Sequence, residues 1–219
     1  MELEEILARL EAEGSPRNVA GMARFGITGD EPYGVSIPFL RKLAKEAGRD
    51  HGLAAALWES GRHEARILSA LVDEPAMVTR VQMDRQAKEF RSWDVCDAFC
   101  MNLYDRTPHA DAMIRKWATA KPEFVKRAAF ATMAALAVHD KRAPDARFLA
   151  FLPLIERASD DDRNYVRKGV NWALRSIGKR NPALSRAAIA TAKRIRAQDT
   201  RSARWIAADA LRELEARRA

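Results

Sequence analysis

The sequence predicts an all-α fold made of stacked helix pairs, and three observations carry that expectation. Ala, Leu, Arg, Lys and Glu dominate the chain and β-branched runs are absent, so local propensity favours helix almost throughout. Pro, Gly, Ser or Asp interrupt the chain at intervals of roughly 10 to 20 residues, the spacing at which such residues delimit helices. A faint self-similarity runs underneath. Phe124-Val-Lys-Arg-Ala128 returns as Tyr165-Val-Arg-Lys-Gly169, 41 positions on, and Ala173-Leu-Arg175 returns as Ala210-Leu-Arg212, 37 positions on. Periods of about 40 residues with two helices each mark HEAT-like or armadillo-like stacking, an α–α superhelix (solenoid) whose second helices line a concave wall.

In chain order, helices are expected over 2–13, 16–25, 37–47, 50–59, 62–73, 75–89, 92–105, 109–119, 122–138, 144–158, 161–179, 182–196 and 200–217. None is long enough for an extended coiled coil. The main irregular stretch, Gly26 to Ser36, ends on Ser36-Ile-Pro38; Ser36 can cap the third helix and Pro38 fits its first turn. No low-complexity linker divides the chain, so a single domain over 1–219 is expected.

Composition bounds the function. The net charge is +8 and the isoelectric point about 9.8, which favours a polyanionic partner such as nucleic acid. No run approaches the ~20 apolar residues of a membrane span, and Met1-Glu-Leu-Glu-Glu5 is acidic where a signal peptide is basic. A cytoplasmic protein is therefore expected. Cys96 and Cys100 stand one helical turn apart, which suits packing better than a disulfide. His51, His63, His109 and His139 are scattered without ligand spacing, so no metal and no cofactor are expected.

Helical spacing then singles out three faces. In 164–179, Val166, Val170, Ala173, Leu174 and Ile177 form one apolar stripe, and Trp172 falls about 140° from its centre. Lys168, Arg175 and Lys179 share the face of Trp172, a basic ladder around an aromatic plate that suits a phosphate backbone. Cover by a neighbouring helix is the other reading of Trp172. In 92–104, Val95, Cys96, Phe99 and Leu103 make the core stripe, and Trp93, Asp97, Met101 and Tyr104 make another about 140° away. Ser92 can cap this helix and Asp94 suits its positive end. Asp97 has no such structural account; a surface pair with a nearby Arg and a ligand-facing role both stand. In 122–138, Val125, Ala129, Met133 and Leu136 lie together while Arg127 projects oppositely, where its guanidinium could clamp two phosphate oxygens.

These residues carry a resemblance. Gly34-Val-Ser-Ile-Pro-Phe-Leu-Arg41, Leu57-Trp-Glu-Ser60 with His63-Glu-Ala-Arg66, Ser92-Trp-Asp-Val-Cys-Asp97, Phe124-Val-Lys-Arg-Ala128 and Val166-Arg-Lys-Gly-Val-Asn-Trp-Ala-Leu-Arg175 stand in the order seen in the AlkD-like DNA alkylation repair family. The match runs from about residue 16 to 215. Active members are HEAT-like monofunctional DNA glycosylases that release purines alkylated at N3 or N7. The resemblance implies that Trp93 and Trp172 are the aromatics of an active-site cleft, Asp97 the catalytic carboxylate and Arg127 a backbone-binding Arg. It further implies that the damaged base stays in or near the stack. The best-known members place two Trp before the Asp where this chain has Ser92-Trp93, so part of the cleft wall differs.

The expectation is thus an enzyme acting as a monomer on duplex DNA that contains alkylated purines. Its catalytic residues are Asp97, Trp93 and Trp172, and its DNA-binding residues Arg127, Lys168, Arg175 and Lys179. The rival is a non-catalytic HEAT-like scaffold for DNA structures or an acidic protein. Both need a basic concave face; only the enzyme needs Asp97 beside the two indoles.

Overall fold

The computed structural model describes residues 1–27 and 29–216. The chain is all-helical, 73% helix with no strands among the described residues. It forms two compact units, Met1–His109 and Ala110–Ala219. Among the described residues no helix is long and apolar enough to cross a membrane.

The first unit contains α1 (Leu3–Ala12), α2 (Pro16–Met22), α3 (Ile37–Ala47), α4 (His51–Glu59), α5 (His63–Val72), α6 (Arg80–Glu89) and α7 (Trp93–Asn102). Short 3-10 turns follow α2 at Ala23–Phe25 and α7 at Tyr104–Arg106. Side-chain caps set several starts. Ser15 accepts from the Asn18 N–H, Ser36 from Phe39, Asp50 from Leu53 and Thr79 from Gln82, each satisfying a donor that the first turn leaves orphaned. The Thr79 cap corrects the expected helix 75–89, which begins only at Arg80. Its first residues instead form a turn closed by Met77 N–H on Glu74.

Helix α5 is the hub of this unit, packing against α3, α4 and α7. Beneath it Trp58, Phe90, Phe99 and Tyr104 make an aromatic core, with Trp58 edge-on to Phe99 at 5.0 Å between centroids and Tyr104 5.4 Å from Phe99. The burial of Tyr104 corrects its expected place beside Trp93 and Asp97. Helix α7 stops at Asn102 and Leu103 leaves the helical region, so the 100° step no longer applies and the phenol turns inward. Its hydroxyl meets Gln86 Oε1 at 3.2 Å, and burial raises its pKa well above the ordinary value.

The second unit contains α8 (Ala110–Trp117), α9 (Glu123–His139), α10 (Asp145–Leu149), α11 (Leu152–Arg157), α12 (Asn164–Gly178), α13 (Pro182–Ala197) and α14 (Arg201–Ala216). It is a two-layer arrangement: α9, α12 and α14 pack side by side, while α8 backs α9, and α11 and α13 back α12. Helix α9 is buried from Ala128 through Ala137. Its many alanines let α12 approach, and Gly169 of α12 sits against the Arg127 stem, where an added Cβ would lie at ordinary contact distance, 3.6 Å. Two expected boundaries change. The helix expected over 144–158 is two short ones, broken at Ala150-Phe151 just before Pro153, which has no N–H to continue the ladder. Helix α12 starts at Asn164 instead of 161, because Asp161 folds back to accept from Arg163 N–H and its guanidinium. Those bonds, together with Lys126 Nζ at 2.9 Å, hold the Asp161 carboxyl far below its usual range despite partial burial.

Candidate functional site

In the first unit the candidate residues stand on α7. Val95, Cys96, Phe99 and Cys100 face the core, leaving Trp93 and Asp97, one turn apart, half-buried on the other side. Trp93 begins the helix, and its Nε1–H donates to the Phe25 carbonyl at 2.8 Å. The indole is thereby tied to the turn after α2, where Arg17, Arg24 and Phe25 line an open depression. Ser92 occupies the cap position without a side-chain cap bond and is buried.

What holds α7 in place is the motif at the start of α5 that the sequence reading left without a role. His63 is 2% exposed, and its Nε2 lies 2.8 Å from Asp94 Oδ2. Burial alone pulls an imidazole pKa down; the Asp94 hydrogen bond and charge, with Glu64 and Asp30, outweigh it and raise His63 above 6.5. Burial likewise pushes Asp94 up, and the His63 bond more than reverses it. Next to it, the buried Glu64 carboxylate accepts three backbone N–H bonds from the loop before α3: Tyr33 at 2.8 Å, Gly34 at 2.7 Å and Val35 at 3.1 Å. Gly34 has φ +81°, and a Cβ there would meet the Ser15 carbonyl at 2.4 Å, so the turn that presents these donors requires glycine. Arg66 completes the set. Its guanidinium holds both Asp30 oxygens at 2.9 Å and lies 4.5 Å over the Trp58 ring. Within four residues, α5 fixes the loop on one side and the first turn of α7 on the other.

In the second unit the candidates line up on α12. Trp172 is half-buried, and it lines an open cleft of about 350 Å³ with Val138, Lys141, Ser176, Lys179 and Arg180. Lys168 and Lys179 are exposed and Arg175 half-buried, so the aromatic-basic face read from the spacing exists. Its charge, however, is shared. Helix α14 runs beside α12 and presents Asp209 and Glu213: Arg175 Nη1 reaches Asp209 at 2.7 Å, Arg175 Nε reaches Glu213 at 3.0 Å and Lys179 reaches Glu213 at 2.9 Å. Burial raises the Asp209 carboxyl, but the Asn171 amide at 2.7 Å with Arg175 and Arg212 bring it below its ordinary value. The acidic row was legible as an i, i+4 pair in 200–217; that it opposes the ladder is a long-range fact.

Arg127 is only 6% exposed, and its Nη1 donates to the Tyr165 carbonyl at 2.7 Å. Its side chain crosses from α9 to the first turn of α12 and clamps that turn's backbone. Of the seven candidates, then, Trp93 and Asp97 share one face in the first unit. Trp172, Lys168, Arg175 and Lys179 share one face in the second, and Arg127 braces the start of their helix. Among the described residues no three His, Cys, Asp or Glu come together as metal ligands.

Residues 6–214 match the family model described as DNA alkylation repair enzyme. The chain belongs to that family. Among solved structures it is similar to one described as "a new family of proteins related to the HEAT-like repeat DNA glycosylases with affinity for branched DNA structures", with a TM-score of 0.78 and 17% identity over 89% of this chain and 83% of that one. The likeness shows that this DNA alkylation repair family member has a HEAT-like repeat fold. No curated protein sequence matches it.

Proposed function

We propose that this member of the DNA alkylation repair family is a monofunctional DNA glycosylase that hydrolyses the N-glycosidic bond of cationic N3- or N7-alkylated purines in duplex DNA. One observation carries the reading: a half-buried carboxylate, Asp97, one turn from a half-buried indole, Trp93, on a helix whose opposite side is core and whose first turn is pinned by the His63–Asp94 pair.

The chemistry asks little more of the protein. An alkylated cationic purine leaves as a neutral base, taking both electrons of the C1′–N bond, so no general acid is required. Positive charge then builds on the deoxyribose. A carboxylate beside it stabilises the oxocarbenium-like transition state and orients the water that attacks C1′. Asp97 has that role in this reading, and the water's proton passes to Asp97 or to solvent. Trp93 packs on the sugar and adds cation–π attraction of about 1–2 kcal/mol as charge develops; Trp172, which the family resemblance makes the second aromatic of the cleft, is proposed to add a similar contribution. Lys168, Arg175 and Lys179 contact phosphates, and Arg127 contributes through the first turn of α12 that it braces. The single domain expected over 1–219 belongs to the same proposal, one family pattern spanning both units.

A second reading has a specific observation behind it. The similar structure is described by affinity for branched DNA, which favours a non-catalytic DNA-binding module. The two separate on one assay. Incubated with duplex DNA bearing N7-methylguanine, the protein is expected to release free N7-methylguanine and leave an abasic site, while a neutral adduct at the same position is spared. DNA that is bound but yields no free base would leave the binding module.

A further inference from the structure

The second unit carries an aromatic-basic patch centred on Trp205, Arg167 and Arg201, none of which has a role above. Phe124, Tyr165 and Trp205 occupy equivalent positions of successive repeats, 41 and 40 residues apart, on the three helices of one layer, α9, α12 and α14. The first two cover each other, their rings 5.4 Å apart. At the third position an arginine takes the place of the aromatic neighbour. The Arg167 guanidinium of α12 lies 4.8 Å from the Trp205 ring centroid, and Trp205 remains 39% exposed.

The surroundings of this indole are cationic. On α14, Arg201 stands one turn before it, Arg204 beside it and Arg212 two turns after, and all three side chains are exposed. Arg204 pairs with Asp199 and Arg212 with Asp209, both with well-exposed guanidinium groups, so solvent screens those pairs. Arg201 makes no ion pair among the described residues, and Lys168 of α12 stands next to Arg167 in the chain. The exposed part of the indole is a flat stacking surface rimmed by cations, and a ring of arginines selects an anionic ligand. Paired bases offer no free face to a side chain on the outside of a duplex, whereas an unpaired base does. Stacking on an aromatic plate between phosphate-binding cations is how single strands are held without sequence preference.

We propose that Trp205, with Arg167 and Arg201, is a binding site for an unpaired stretch of nucleic acid, in which a base stacks on the indole and the arginines hold the flanking phosphates. The site depends neither on Asp97 nor on base release, so its test uses undamaged DNA. Fluorescence anisotropy at one fixed salt concentration compares a blunt duplex with the same duplex carrying a single-stranded extension of about 10 nucleotides. Stacking of one base predicts that wild type binds the extended duplex on the order of tenfold tighter. Trp205→Ala should bring that ratio close to one, and Trp205→Phe, which keeps an aromatic face under Arg167, should retain most of it. Circular dichroism of both variants verifies that the fold is intact. A wild-type ratio near one would overturn the proposal, leaving only a duplex-backbone or protein contact for this patch. So would a Trp205→Ala ratio equal to that of wild type.

Discussion

At the scale of single residues, the pair that positions the candidate carboxylate is also sensitive to pH. His63 has its folded pKa raised above 6.5 and Asp94 has its own lowered. A raised imidazole contributes stability that is complete below its unfolded pKa and is lost as pH rises through the folded value. A lowered carboxyl contributes stability that is complete above its unfolded pKa and is lost as pH falls through the folded value. The ion pair is therefore strongest between the two ordinary values, at about pH 5–6. His63→Gln keeps a donor near Asp94 but removes the charge. Thermal melts should show its largest deficit relative to wild type in that window, on the order of 1–3 kcal/mol, and a smaller deficit at pH 8 to 9. A deficit that does not vary with pH would mean that His63 acts through shape alone. None of this was legible in the sequence. The spacing of Trp93 and Asp97 against Val95, Cys96 and Phe99 is a local fact, whereas His63 and Asp94 meet across 31 residues.

At the scale of helices, local pattern located nearly every element and missed what tertiary contacts decide. The stripe Val166, Val170, Ala173, Leu174 and Ile177 is buried as expected, because a 3.6-residue period needs no knowledge of the partner helix. The break inside 144–158, the late starts of α6 and α12, and the inward turn of Tyr104 depend on caps, a proline and the end of a helix. The α12–α14 seam has the same character, and it yields a prediction. Glu213 forms ion pairs with both Arg175 and Lys179, so Glu213→Gln should release positive charge towards phosphate. Duplex affinity is expected to rise about two- to fivefold, with a salt dependence steeper by roughly one unit of log K against log salt. An unchanged slope would remove Arg175 and Lys179 from the phosphate contacts. Arg127→Ala should act differently. Because that guanidinium is buried on the Tyr165 carbonyl, the variant should lower the melting temperature as well as weaken DNA binding. Weaker binding with an unaltered melt would mean that Arg127 is not the brace of α12.

At the scale of the whole molecule, two kinds of information entered the sequence separately. The repeat of about 40 residues and the ordered motifs made the HEAT-like fold and the family legible, because a repeating unit restates its packing in every copy. The net charge of +8 pointed to nucleic acid, but not to which cations remain available once α14 has answered α12, nor to the exposed Trp205 beside Arg167. The functional account assigns DNA affinity to the basic layer of the second unit and chemistry to one carboxylate of the first, so the two should be separable. Single-turnover release of N7-methylguanine by Asp97→Asn, measured beside its affinity for the same duplex, tests this most directly. The account predicts release slowed by at least about a hundredfold with affinity within roughly threefold of wild type; equal release rates for the two proteins would contradict it.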